Sequence, residues 1–273
     1  MTDRYAVIGN PIGQSKSPLI HTAFAQATGQ DLAYTKIEGQ PGQFAAAVDA
    51  FRAEGGRGLN VTAPFKLDAF ACATHKSPRA ELAGAANALK FEGDQVWADN
   101  FDGVGLVRDV VHNLGVPLAG KRVLMLGAGG AARGALLPFL AEQPALLVVA
   151  NRTVDKALAL ARIGADHGVV RGCGYAELDG QAFDVVFNAT SASLSAELPP
   201  VPASVFAPGA LAYELAYGKG LTPFLRLAQS ASAGQLADGV GMLAEQAAEA
   251  FAWWRGVRPG TQAVIEQLRV PLV

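Results

Sequence analysis

The sequence predicts an α/β protein of two domains, each built on a mostly parallel sheet. The chain has 273 residues with 51% hydrophobic content, enough apolar material for two ordinary cores. In two separate stretches, apolar runs of strand length alternate with helix-like segments, the pattern of parallel strands joined by right-handed crossovers. In the second stretch a glycine-rich turn, G-A-G-G-A-A at 127–132, follows one of the apolar runs directly.

The first stretch opens with Y-A-V-I-G-N as a strand, S-P-L-I-H-T-A-F-A-Q-A-T-G as a helix and L-A-Y-T-K-I as a strand. Q-F-A-A-A-V-D-A-F-R-A-E-G-G then reads as a helix and G-L-N-V-T as a third strand, which ends near Asn60, Thr62 and Lys66. In open sheets of this kind functional residues gather at the carboxyl ends of strands. Residues 86–100 alternate around Glu92-Gly93-Asp94 and read as a hairpin leading to D-N-F-D-G at 99–103. The second series starts near Lys121, with strands at V-L-M-L-G, L-L-V-V-A-N-R, D-V-V-F-N-A-T and A-L-A-Y-E-L-A-Y and a helix from Val154. From residue 238 onward the period is helical with no strand of its own, so this segment must pack on one of the two sheets. The expected division is 1–102 plus 238–273 for the first domain and 103–237 for the second.

Charge and cysteine content narrow the function. Twenty-two basic residues against 24 acidic ones give a formal net charge of −2, and no dense basic run marks a nucleic-acid or membrane-surface patch. A small-molecule partner is expected, with a monomer or a homodimer both open. Cys72 and Cys173 form no C-x-x-C pair, and His21, His75, His112 and His167 are scattered, so neither a disulfide framework nor a metal is expected. Reduced cysteines and the early Gly9, Asn10 and Pro11, which no signal peptide would tolerate, point to the cytoplasm. The apolar run Val123 to Ala141 is long enough for a membrane span, but its glycine spacing fits a buried strand, turn and helix better. Trp253 and Trp254 read as core and helix-packing residues.

Gly127, Gly129 and Ala132 occupy the three positions of a G-x-G-x-x-G/A dinucleotide turn. That pattern provides a tight turn, close backbone approach to a pyrophosphate, and a small residue for helix packing. The run Gly127, Ala128, Gly129, Gly130 and Ala131 would face the phosphates at the start of the helix. The second domain is therefore expected to be a Rossmann-type nucleotide-binding domain. After the next strand stand Asn151, Arg152 and Thr153, with Lys156 close behind. No carboxylate there would repel a 2′-phosphate and two cations could pair with it, so NADP(H) is favoured over NAD; the alternative is a pair of solvated surface charges. Thr190 and Ser191, at another strand end, either border the cofactor or cap the strand.

A nicotinamide cofactor moves hydride, and reducing a ketone also needs a proton donor. Lys66 is a candidate, with Asp102 to orient it and stabilise its charged form. Equally, Asp102 would serve as a helix N-cap and Lys66 as a capping or surface residue.

The motifs G-N-P-I-G-Q-S-K-S-P, N-V-T-A-P-F-K, A-A-N, D-N-F-D-G, G-A-G-G-A, N-R-T, N-A-T-S and D-G-V-G-M-L run in order over nearly the whole chain. Together they resemble the shikimate dehydrogenase family. The resemblance implies NADPH-dependent reduction of 3-dehydroshikimate to shikimate, in aromatic amino-acid biosynthesis, by a split substrate domain and a Rossmann-type cofactor domain. It makes Lys66 and Asp102 the catalytic pair. Ser15, Ser17, Asn60, Thr62, Asn87, Tyr217 and Gln246 would hold the substrate, and Leu215 and Gly239 would join the cofactor residues. For the two serines the alternative is capping of the helix at Pro18, with Lys16 pointing to solvent. The pattern departs at Phe101, where the family has threonine lining the substrate pocket, and more mildly at Glu214 and Ser193. Loss of that hydroxyl implies a divergent member, weaker on shikimate or tuned to a related acid. The alternatives are a quinate/shikimate dehydrogenase, or a protein that binds NADP(H) and a small acid without turnover.

Overall fold

The computed structural model describes residues 2–190, 192 and 197–272, in two compact units. The first comprises Met1–Gly105 and Ala244–Val264, the second Leu106–Leu243 and Ile265–Val273. The chain passes from one to the other inside three helices, α5 (Asp102–Arg108), α9 (Val240–Arg255) and the last helix, Gln262–Leu268, instead of only at the expected 102/103 and 237/238. The last residues join the second unit instead of the first, because Leu272 packs against that unit's core around Phe224 and Leu225.

The first unit holds a six-stranded sheet of β1 (Asp3–Gly9), β2 (Leu32–Glu38), β3 (Gly56–Val61), β4 (His75–Lys76), β5 (Ala88–Glu92) and β6 (Gln95–Asp99). Its strand order is β2-β1-β3-β5-β6-β4. The β1–β2, β1–β3 and β4–β6 pairings are parallel, while β3–β5 and β5–β6 are antiparallel, so the sheet is mostly parallel as expected, with the expected hairpin inserted in it. Glu92 pairs directly with Gln95 across Gly93 and Asp94, and two residues suffice for an antiparallel turn but not for a crossover. Successive β1 residues face opposite ways: Ala6 and Ile8 pack with α2 (Phe44–Ala53), whereas Tyr5 and Val7 pack with Tyr34, Ala250 and Trp254. Helix α1 (Ser17–Thr28) begins with proline in its first turn and stops at Gly29, whose left-handed backbone turns its N–H onto the carbonyls of Ala25 and Gln26.

The second unit is a six-stranded, wholly parallel sheet in the order β12-β11-β10-β7-β8-β9. Its strands are β7 (Arg122–Leu126), β8 (Leu146–Ala150), β9 (Val170–Cys173), β10 (Phe183–Asn188), β11 (Phe206–Glu214) and β12 (Gln235–Asp238). Strands β9 and β12 add to the four expected; V-R-G-C and Q-L-A-D are too short and irregular to signal a strand. Val123 and Met125 bury into one core layer and Leu124 and Leu126 into the other, which is why β7 reads as a continuous apolar run. The run from 123 to 141 resolves into β7 and α6 (Gly130–Ala141); among the described residues no helix is long and apolar enough to cross a membrane. Strand order reverses between β7 and β10, the point in such sheets where a crevice opens at the strand ends.

Candidate active site

Lys66 and Asp102 are the first residues of two helices, α3 (Lys66–Cys72) and α5. Strand β3 ends at Val61, and a turn closed by the Phe65 N–H on the Thr62 carbonyl carries the chain on to Lys66. Lys66 Nζ donates to Asp102 Oδ2 at 2.6 Å, with the two side chains 34% and 13% exposed. The other carboxylate oxygen, Oδ1, accepts from Asn87 Nδ2 at 2.8 Å. Asn87 Nδ2 also lies 3.3 Å from Gln246 Oε1, and Asn87 Oδ1 accepts the Phe101 N–H at 2.9 Å. Asp102 therefore spends its side chain on Lys66 and Asn87, while its own N–H bonds Asn100 Oδ1 at 3.1 Å.

The remaining substrate-side residues of this unit lie around the same strand ends. Asn60 is buried, and its Oδ1 accepts the Tyr34 hydroxyl at 2.6 Å. Ser15 Oγ donates to Ser17 Oγ at 3.2 Å and accepts the Ser17 N–H at 3.3 Å, so local capping is part of its work, and Lys16 is exposed. Burial raises the Tyr34 hydroxyl well above its ordinary pKa, against a smaller lowering by the neighbouring Ser17. Thr62 is half-buried, its N–H on the Ile8 carbonyl.

Phe101, at the position where the family threonine is expected to line the substrate pocket, is buried. Its ring is 3% exposed, edge-on to Trp253 at 5.7 Å, with the Arg79 guanidinium 5.1 Å above it. Arg79 in turn bonds both oxygens of Asp99, at 3.1 and 2.6 Å. An aromatic ring gains more from this burial and cation contact than from facing water, so the substitution for threonine is first of all a change in core packing.

In the second unit, Gly127 closes the turn after β7 with φ +103°, and a side chain there would meet the Ala189 carbonyl oxygen at 3.0 Å. Helix α6 starts at Gly130 with Ala131 behind it, and side chains at Gly129 or Gly130 would meet nothing within 4 Å, so the first amides open onto free space. A cavity of about 450 Å³ is lined by Gly127, Ala128, Gly129, Asn151, Arg152, Thr153, Lys156 and Thr190. Thr153 precedes α7 (Val154–Gly164) without using its hydroxyl as a cap, leaving that group to the cavity. Asn151 Nδ2 donates to the Thr153 carbonyl at 2.9 Å. Thr190 Oγ1 is bonded to Asn188 Oδ1 at 2.7 Å, so the strand-capping alternative is realised alongside its place on the wall.

This donor set fits a phosphorylated dinucleotide. Glycine amides stand at the helix start, two cations follow β8, and among the described residues Glu197 is the single acidic one on the cavity wall. Burial raises the Tyr175 hydroxyl pKa, and the positive charge of Arg152 pulls it back down. Leu215 and Gly239 touch each other at the ends of β11 and β12, where a side chain on Gly239 would lie 2.1 Å from the Leu215 carbonyl oxygen; neither lines the cavity. Glu214 is fully buried and accepts from Asn188 at 3.0 Å and Thr222 at 3.1 Å. Tyr217, 41% exposed, belongs to this unit and not to the one carrying the other substrate candidates. Ser191 and Ser193 lie outside the described residues. Among the described residues no group of three or more His, Cys, Asp or Glu could hold a metal ion.

Three residues escaped the sequence reading. Asn100 stands in the quoted D-N-F-D-G motif and could have been found as its second polar group. Tyr175 and Tyr34 carry no local signal, since each acquires its neighbours through the sheet.

Three family descriptions match the chain: "Shikimate dehydrogenase substrate binding domain" over residues 7–89, "Shikimate / quinate 5-dehydrogenase" over 109–196, and "Shikimate 5'-dehydrogenase C-terminal domain" over 239–269. The shikimate dehydrogenase (NADP(+)) of Chromobacterium violaceum is 56% identical over 98% of each chain. Among solved structures, an Ael1 enzyme from Pseudomonas putida is 64% identical over 100% of both chains, with a TM-score of 0.96. The shikimate 5-dehydrogenase of Thermus thermophilus, in complex with NADP(H) and shikimate, is 29% identical over 98% of this chain and 99% of its own, with a TM-score of 0.86.

Proposed function

The chain belongs to the shikimate dehydrogenase family, and from that premise we propose that it catalyses the reversible, NADP-dependent interconversion of 3-dehydroshikimate and shikimate. The observation that carries this reading is the pair Lys66–Asp102, joined at 2.6 Å with the second carboxylate oxygen held by Asn87. A protein that only bound a small acid would gain nothing from a proton-transfer pair with both carboxylate oxygens fixed.

The glycine turn at Gly127–Gly129 and the cations Arg152 and Lys156 would hold NADPH, whose chemistry would be hydride donation to a carbonyl carbon. The ketone oxygen must then gain a proton, and the Lys66 ammonium group donates it; at 34% exposure the lysine can be reprotonated from water. Asp102 orients Lys66 and balances its charge, while Asn87 fixes Asp102. The reverse reaction runs the same proton from the substrate hydroxyl to neutral Lys66. Within the first unit, Ser15, Ser17, Asn60, Thr62, Asn87 and Gln246 are the residues that would bind the substrate. Short polar side chains of this kind discriminate well, because an analogue lacking a matching hydroxyl strands a buried group. Arg152, Thr153 and Lys156, on the wall of the cavity, would hold the 2′-phosphate that separates NADP from NAD. Phe101 supplies no hydroxyl to the substrate and lowers activity on shikimate.

Steady-state oxidation of shikimate and of quinate, with NADP and with NAD, tests the reading beside a Lys66→Ala variant. Shikimate turnover with NADP that collapses in the variant is expected; cofactor binding without turnover of either acid would sink it. Phe101→Thr is expected to raise kcat/KM for shikimate, and no gain would remove the role given to that ring.

A further inference from the structure

Behind Asn60 lies a second layer. Tyr34 is the single buried residue of β2, and its hydroxyl donates to Asn60 Oδ1 at 2.6 Å. Asn60 Nδ2 has only a long contact, 3.4 Å, with the Asn87 carbonyl. The Tyr34 ring lies flat on His21, with centroids 4.2 Å apart and planes 3° from parallel. His21 is wholly buried, and Phe24, Phe251 and Trp254 surround it at 6.0, 6.1 and 5.4 Å. Among the described residues neither ring nitrogen has a hydrogen-bond partner. Burial holds its pKa at about 3, with the nearby Asn60 amide pulling weakly upward, so the ring is neutral. An unpaired buried imidazole weakens the fold, so what it offers this site is a flat, compact plate beneath Tyr34.

We propose that Tyr34, seated on the His21 ring, is a positioning residue that sets which way the Asn60 amide faces. An unconstrained asparagine amide can present either its oxygen or its NH₂ to a ligand. With Oδ1 turned toward the Tyr34 hydroxyl, Asn60 presents its NH₂ in preference to its oxygen to the substrate, and so favours an oxygen that accepts, carboxylate or hydroxyl. The inference rests on Asn60 being a substrate-binding residue of the proposed dehydrogenase.

Tyr34→Phe keeps the ring and its stack and removes one hydroxyl. The expected result is a KM for shikimate raised about five- to twentyfold, with kcat within about twofold and the KM for NADP unchanged. Asn60→Ala raises the same constant at least as far, and the double variant matches Asn60→Ala alone, because the hydroxyl acts only through the amide. His21→Ala, which removes the plate, raises the KM in the same direction. An unchanged KM in Tyr34→Phe, or effects that multiply in the double variant, would overturn the proposal. A second readout needs no turnover: the Asn60 side-chain amide signal in the NMR spectrum of the free protein, assigned by its loss in Asn60→Ala, shifts in Tyr34→Phe. No shift overturns the proposal even if the wild type proves inactive on shikimate, and that inactivity alone would instead strike the functional reading.

Discussion

The two units assemble their shares of the chemistry in opposite ways. In the first, the groups that matter are side chains bonded to one another: Lys66 to Asp102, Asp102 to Asn87, Asn60 to Tyr34. In the second they are a glycine turn, open helix amides and two cations around a cavity. A network of buried side chains cannot lose a member without stranding its partner, so damage there is steep and shared. A site made of backbone and solvent-facing cations loses function by increments, because each contact acts on the ligand directly.

The sharpest way to break this contrast is Lys66→Ala, expected to cut kcat/KM for shikimate by about 10²- to 10⁴-fold while leaving NADPH affinity by fluorescence titration unchanged. A parallel loss of cofactor affinity would erase the division of labour between the units. Next in size, Phe101→Thr should lower stability by about 2–4 kcal/mol in urea unfolding, since it empties a buried ring site between Trp253 and Arg79. A cost below about 0.5 kcal/mol would mean the ring is not packed as core. Arg152→Ala should raise the KM for NADP by about ten- to hundredfold, the worth of one charge-assisted bond, and leave the constant for NAD alone. Equal effects on both cofactors would place Arg152 elsewhere than at the 2′-phosphate.

The smallest effect at neutral pH belongs to His21. Its pKa is about 3 in the folded protein against an ordinary 6.5. As pH falls below 6.5 the unfolded chain takes up a proton that the folded one refuses, so stability is complete above pH 6.5 and drains away toward pH 3. Between about pH 7 and 4.5 the loss from this residue is on the order of 2–3 kcal/mol. Comparing denaturation midpoints across that range, His21→Phe should be less acid-sensitive than the wild type by this amount. Parallel pH profiles would refute it.

The same contrast explains what could be read from the sequence. The candidate cofactor side was legible because its features are local: G-A-G-G-A-A and N-R-T each span a few residues of chain, and both contribute to one cavity wall. On the substrate side the polar groups could be named from motifs, but not their partners. Asn87 meets Asp102 across 15 positions and Gln246 across 159, and no spacing rule connects such distances. Phe101 shows the limit most plainly. Its identity is visible as a departure from D-N-T-D-G, yet whether the ring faces ligand or core depends on Trp253 and Arg79, which only the fold brings to it. The hairpin at Gly93 was legible from its turn; β9 and β12 were not, being strands by virtue of the neighbours they pair with.

Asn87 ties the proposed catalytic pair to the sheet by more than its side chain. Its N–H bonds the Asp99 carbonyl and its own carbonyl accepts the Val61 N–H, so it bridges the ends of β6 and β3. Its amide should therefore be among the last in the protein to exchange with deuterated solvent, opening only when the first unit unfolds cooperatively. The orientation of Asp102 then carries the lifetime of the whole sheet, and mutations far from the site that hasten its breathing will register as lost turnover before they register as lost structure.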